Sequence, residues 1–253
     1  MLHAMQPSSS FYEHPELYDL EYASHVEDLT FYVSLARSAR RVLELGCGTG
    51  RLTVPMARAG AEVVGLDRAE PMLRRLRARA AAEPSLRLRA VAGDMTRLEL
   101  NETFDAVFLP FNAIHHVHEA ETLLEMLRRI RAHLNPGGLF ALDMIVPQPK
   151  FWERDPDGVY EVRWFPDPQG GRMKSWENGF YDPISQVNTV RYHYQRASGL
   201  YHVIEIPMRM YYPQEVLALL RLGGFRAMLV SGDFEGRPAD GKTGKLVLEL
   251  QAT

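Results

Sequence analysis

From residue 41 onward, short apolar runs alternate with longer stretches in which apolar positions recur at helical spacing. The runs are 42–45, 63–66, 86–91, 106–109 and 139–145, and helix-like segments lie between them at 51–59, 70–82 and 119–133. Strands that read as continuous apolar runs, separated by amphipathic helices, predict a parallel sheet covered on both faces. The breaker Asn135-Pro136-Gly137-Gly138 should end the third of these helices and turn the chain into a strand. Ahead of this region, residues 1–10 read as a flexible tail and 11–40 as helical. That helical stretch is dense in aromatics: Phe11, Tyr12, Tyr18, Tyr22, Phe31 and Tyr32. Its rings either anchor the helices to the core or cover a bound ligand.

After Pro147 the pattern changes to alternation of aromatic or β-branched with polar residues, over 159–165, 173–181, 187–195 and 200–211. Turn signals separate these segments, which predicts a small antiparallel sheet. The reading is thus a parent α/β domain, 11–147 and 212–253, with an inserted sheet at 148–211. A helix at 213–222 and strands at 225–231 and 245–251 complete the parent domain.

Composition narrows the function classes. A chain of 253 residues, 46% hydrophobic and 24% charged, can form one large domain with an insertion. Its net charge of −3 gives no field that would gather nucleic acid. The run Arg74, Arg75, Arg77 and Arg79 falls on a predicted helix beside Glu70 and Glu83 and reads as a solvated face. The single cysteine, Cys47, excludes an intrachain disulfide and a cysteine-rich metal site, and fits a reducing compartment. No apolar stretch of about 18 residues occurs and no cationic-then-apolar leader opens the chain. The expectation is a cytoplasmic protein, monomer or homodimer, with a small-molecule substrate and neither a membrane nor a nucleic-acid partner.

The segment that carries chemistry is Val42-Leu43-Glu44-Leu45-Gly46-Cys47-Gly48-Thr49-Gly50. A buried strand runs directly into three glycines, where the backbone can turn sharply and approach a ligand without Cβ obstruction. The helix that follows offers free N–H groups to an anionic group. Asp67 ends the next strand, the place for a carboxylate that accepts from two ribose hydroxyls. Gly93-Asp94-Met95 follows the third strand, where a carboxylate can meet an adenine amino group. Pro110-Phe111-Asn112 closes the fourth. A nicotinamide dinucleotide loop would need its third glycine at Arg51, so the spacing suits a nucleoside with no pyrophosphate to cradle.

These residues resemble the class I S-adenosylmethionine-dependent methyltransferases, over 44–143 and less closely on to the C-terminus. Glu44, Gly46, Gly48 and Gly50 match that family's acidic-glycine motif. The resemblance implies a Rossmann-like, doubly wound sheet of seven strands, the last antiparallel, with helices on both faces. It also implies S-adenosyl-L-methionine as cofactor and S-adenosyl-L-homocysteine as product. Glu44 would orient the methionine amino group, Gly46 and Gly48 would pack against the cofactor, Asp67 would hold the ribose, and Asp94 and Met95 would flank the adenine. Cys47, Gly50, Arg68, Met72, Gly93, Pro110 and Phe111 complete the expected cofactor wall.

The acceptor side is less constrained. His115, His116 and His118 follow Pro110-Phe111-Asn112, at the rim where an acceptor would meet the methyl group. Histidine is a suitable general base, and His115 and His116 are the catalytic candidates. The alternative is that they cap or pack the helix near Glu119. Adjacent loop histidines rarely converge on one ion without further ligands, and Asp143 is the nearby carboxylate, so no metal is expected. The inserted sheet reads either as a lid or as a surface packed on the main domain or a second subunit. Substrate contacts are expected from Tyr12, Tyr18, Asn112, Trp152, Trp164 and Tyr192. Alternation puts Tyr192 and Tyr194 on one face, Arg191 and His193 on the other. The tetrapeptide Asn/Asp-Pro-Pro-aromatic, typical of family members acting on nucleobase or amide nitrogens, is absent after the fourth strand. The reading is methyl transfer to nitrogen or oxygen of a metabolite or natural product. Methylation of a protein or nucleic acid, or cofactor binding without catalysis, stays open.

Overall fold

The computed structural model describes residues 11–149, 152–167 and 170–253, and the tail expected at 1–10 lies outside them. Five strands, β1 (Arg41–Leu45), β2 (Glu62–Asp67), β3 (Leu88–Ala92), β4 (Phe104–Leu109) and β5 (Leu134–Ile145), pair in parallel. Near the C-terminus, β11 (Lys245–Ala252) inserts antiparallel between β5 and β10 (Phe225–Ser231). The seven strands run in the order β10-β11-β5-β4-β1-β2-β3. Four further strands, β6 (Tyr160–Pro166), β7 (Arg172–Asp182), β8 (Val187–Arg196) and β9 (Tyr201–Arg209), form a separate antiparallel meander.

Pleating divides the apolar runs between two cores. On one face, Val42, Val63, Ala106 and Phe108 pack against α2 (Leu29–Arg37) and α3 (Thr53–Arg58) through Tyr32, Ala36, Met56 and Ala57. On the other, Leu43, Leu45, Val107 and Leu109 meet α5 (Ala120–Ala132) and α6 (Pro213–Leu222) through Leu123, Leu127, Ile130 and Leu220. Burial on both faces is why these strands read as unbroken apolar runs.

The helices expected over 11–40 are α1 (Pro15–Glu21) and α2, preceded by a 3-10 turn, Phe11–Glu13. Two expectations change. Asn135-Pro136-Gly137-Gly138 lies inside β5, where the register against β4 shifts, instead of ahead of it. Gly137, at φ +78°, supplies the left-handed residue this irregularity needs. The arginine run on α4 (Glu70–Ala82) is not simply solvated: Arg75 and Arg79 both pair with Asp19 of α1, the latter at 2.7 Å, and Arg77 pairs with Glu70.

The meander turns one face toward the N-terminal segment. Met173, Tyr194 and Ile204 pack on Phe11 and Leu17, and the Tyr194 hydroxyl donates to Glu21 at 2.8 Å. The opposite face carries Trp176 stacked on His193, with ring planes 4° apart. Among the described residues, no helix is long and apolar enough to cross a membrane.

Candidate active site

The strand order turns back between β1 and β4, and in open α/β sheets the crevice outside the carboxyl ends at such a point is where ligands bind. A cavity of about 570 Å³ opens there, within the range of small-molecule sites. One end is built by the glycine loop. Gly46, Gly48 and Gly50 all hold positive φ, at +70°, +53° and +88°. A Cβ on Gly48 would point into open space, whereas one on Gly50 would lie 2.4 Å from Leu76 Cδ1. Gly50 therefore serves the packing of α4 and does not line the cavity, contrary to its expected place on the cofactor wall.

The other expected wall residues do converge. Glu44, Gly46, Cys47, Gly48, Asp67, Arg68 and Met72 line this end, followed by Gly93, Asp94, Met95, Pro110 and Phe111. All but Met72, which lies in the first turn of the helix Glu70–Ala82, stand at or just beyond a strand's carboxyl end, so residues far apart in sequence meet at one edge of the sheet. Asp67 accepts from the Gly48 N–H and the Ala69 N–H, both at 2.8 Å, which fixes the loop before any ligand arrives. Glu44 is buried and accepts from the Thr53 hydroxyl at 2.5 Å. Burial pushes its carboxyl up to about 8, against the lowering effect of Thr53 and Arg51. Burial works the same way on Asp94, but the Thr96 hydroxyl and N–H outweigh it and hold that carboxyl below its ordinary value.

Tyr12, Tyr18, Asn112, His116 and Tyr192 also line the cavity, as do Val117, Ile206 and Met208. The Tyr12 hydroxyl lies 2.9 Å from His116 Nε2. Burial, reinforced by His115 and Arg68, lowers His116 to about 4, so its ring is neutral near pH 7. His115 is a correction to the catalytic pair: it is fully buried, its Nδ1–H donates to the Arg209 carbonyl at 2.6 Å, and it stacks on Tyr211 instead of facing the cavity. Trp152 and Trp164 are also away from it. Trp152 stacks on Tyr181 at 4.3 Å, and Trp164, 54% exposed, lies under Arg172. The meander contributes through Tyr192, Ile206 and Met208 because alternation on β8 and β9 sends those residues inward.

Sequence reasoning passed over Arg51 and His25, which also line the cavity. Arg51 forms a two-pronged pair with Asp28 at 2.6 and 2.7 Å, and its guanidinium covers the Phe111 ring at 4.6 Å. Its position directly after Gly50 was the one available signal. Phe111 and Asn112 occupy consecutive left-handed conformations, at φ +56° and +62°, an arrangement costing about 1–2 kcal/mol per residue without compensation. Asp143 faces this turn: it accepts from the Phe111 N–H at 2.7 Å, the Asn112 N–H at 3.3 Å and the Tyr32 hydroxyl at 2.8 Å. Among the described residues no group of three or more His, Cys, Asp or Glu side chains is placed to hold a metal.

Residues 42–138, from β1 through the turn in β5, match the family described as "Methyltransferase domain". The CcbJ methyltransferase from Streptomyces caelestis superposes with a TM-score of 0.76 at 27% identity, covering 90% of each chain. Residues 42–138 belong to the methyltransferase domain family, and the fold is that of the class I S-adenosylmethionine-dependent methyltransferases. The chain is also 38% identical over 136 residues to the cypemycin N-terminal methyltransferase of a Streptomyces species, covering 52% of this chain and 54% of that protein. A ubiquinone biosynthesis O-methyltransferase from Ruegeria pomeroyi is 39% identical over 130 residues, 50% of each. The chain thus spans about half the length of the curated relatives it matches. The family's cofactor is S-adenosylmethionine, and this site fits it: the open space over Gly48, the paired carboxylates Glu44 and Asp67 and the cavity volume meet the needs of a nucleoside bearing an amino acid.

Proposed function

We propose that this chain methylates an amine nitrogen of a small molecule. Glu44 takes the cofactor's ammonium, Asp67 the ribose, and Asp94 with Met95 the adenine, while the compartment between His116, Asn112 and the meander takes the acceptor. Bound there, S-adenosylmethionine supplies an already activated methyl group on a sulfonium. What the protein adds is positioning and exclusion of water.

The observation that carries the choice of nitrogen is the state of His116. A hydroxyl acceptor needs a base to take its proton, and a ring lowered to about 4 is a weak one. Its Nε2 is moreover engaged with Tyr12 at 2.9 Å. A neutral amine brings its own lone pair and needs only a dry, aligned place beside the methyl group. The apolar side chains of Val117, Ile206 and Met208 favour the uncharged form of such an amine.

Calorimetry with S-adenosylmethionine, and with NAD as control, tests the cofactor; release of S-adenosylhomocysteine in the presence of amines and matched alcohols tests the acceptor. Turnover with amines should rise with pH through the amine's own pKa, and His116→Gln should cost less than about tenfold. A loss of about 100-fold or more on alcohols, the size expected for a true general base, would reverse the assignment to oxygen.

A further inference from the structure

Asp143 is fully buried at the end of β5 and takes no part in the cavity wall, yet it touches the turn that does. Its two carboxylate oxygens engage two successive N–H groups, those of Phe111 and Asn112, in a pair of non-glycine residues both at positive φ. Neither conformation would persist unless its surroundings over-determined it. The side chain of Phe111 is constrained as well: Arg51 covers its ring at 4.6 Å, and the rings of His25 and Tyr22 stand 4.7 and 4.8 Å away. Phe111 and Asn112 both line the cavity, at the boundary between its cofactor end and its acceptor end. Resting on the methyltransferase reading, we propose that Asp143 is a positioning residue for methyl transfer: it holds the Phe111–Asn112 turn in the shape that walls the point where donor and acceptor meet.

The carboxylate suits this task because each oxygen accepts, whereas the isosteric amide presents one acceptor and one N–H that would face a backbone N–H. Asp143→Asn therefore releases at least one end of the turn while keeping the volume in the core. Tyr32→Phe removes the third donor and leaves both bonds to the turn in place.

The test is calorimetric titration of the wild type and both variants with S-adenosylhomocysteine and with sinefungin, whose amine stands where the transferred methyl group would be. In Asp143→Asn, S-adenosylhomocysteine should bind within about twofold of wild type and sinefungin about tenfold more weakly, the size of one lost hydrogen bond to a charged group. Tyr32→Phe should preserve the ratio of the two affinities. Equal losses for both ligands, no loss for either, or the same change of ratio in Tyr32→Phe would overturn the positioning role. A wild type that binds neither ligand would refute the methyltransferase reading itself, and the positioning role with it. Should Asp143→Asn fail to fold, native-state hydrogen exchange of the wild type decides: the Phe111 and Asn112 amides should exchange as slowly as those of β5, and exchange at loop rates overturns the proposal.

Discussion

Glu44 shows how a residue's environment sets what it does. The side chain leaves β1 near its carboxyl end and is buried, with the Thr53 hydroxyl as its hydrogen-bond donor. Burial holds its carboxyl near 8, so in the ligand-free protein it is largely protonated at neutral pH. The raised value means the folded state binds more protons than the unfolded one between about pH 4.5 and 8. This contribution to stability is therefore present at low pH and lost as pH rises through 8. If the ionised form receives the cofactor's ammonium, S-adenosylmethionine affinity should rise by up to about tenfold per pH unit below pH 8 and then level. Glu44→Gln should bind more weakly and without that slope. A pH series of calorimetric titrations checks both; a flat wild-type profile would place the ammonium elsewhere. That Glu44 belongs to the site was legible from the acidic-glycine motif. Its protonation state was not, because that depends on the neighbours folding brings.

At the scale of elements, the glycine loop separates two roles that its sequence presents as one. Gly48 faces the cavity; Gly50 faces Leu76 on α4. Gly50→Ala should destabilise the fold by about 1–3 kcal/mol, from overpacking and from an L-residue held at positive φ. It should leave cofactor affinity at stabilising temperatures nearly unchanged, because the added methyl points away from the cavity. Thermal melts and a binding titration check the two halves separately, and a large affinity loss without a change in Tm would return Gly50 to the cofactor wall. The same separation applies to the histidines. His115 and His116 are adjacent in sequence, but the short 3-10 turn they occupy, Ala113–His116, sends one ring into the core and the other to the cavity.

Across the whole molecule, the N-terminal segment joins the two sheets. Phe11, 1% exposed, contacts the rings of Tyr18, Tyr22, Tyr192 and Tyr194, bridging α1 and the meander. Tyr12 beside it reaches His116, and Arg79 and Arg75 tie α1 to α4 through Asp19. Because those ion pairs are partly exposed, they contribute little, and apolar docking has to hold the segment. Phe11→Ala should cost about 3–5 kcal/mol of that docking. The expected result is faster proteolysis before α2 and weaker cofactor binding, while the melting of the parent sheet changes little. A uniform loss of Tm with unchanged protease sensitivity would show that the segment is part of the global folding unit.

The amino-acid sequence by itself determined the layering of the parent domain, because unbroken apolar runs record strands buried on both faces and helical spacing records helices buried on one. It also determined the loop of Gly46 and Gly48 and the carboxylates Asp67 and Asp94 at strand ends, since strand ends share one edge of a parallel sheet. Tertiary structure alone decided the far end of the cavity. Which of His115 and His116 faces it, why Trp152 and Trp164 do not, and how Arg51 and Asp143 come to bear on Phe111 depend on contacts between separate elements. Local pattern carries no record of those contacts: a residue's periodicity states that it is buried, and only the packing of the other elements states against what.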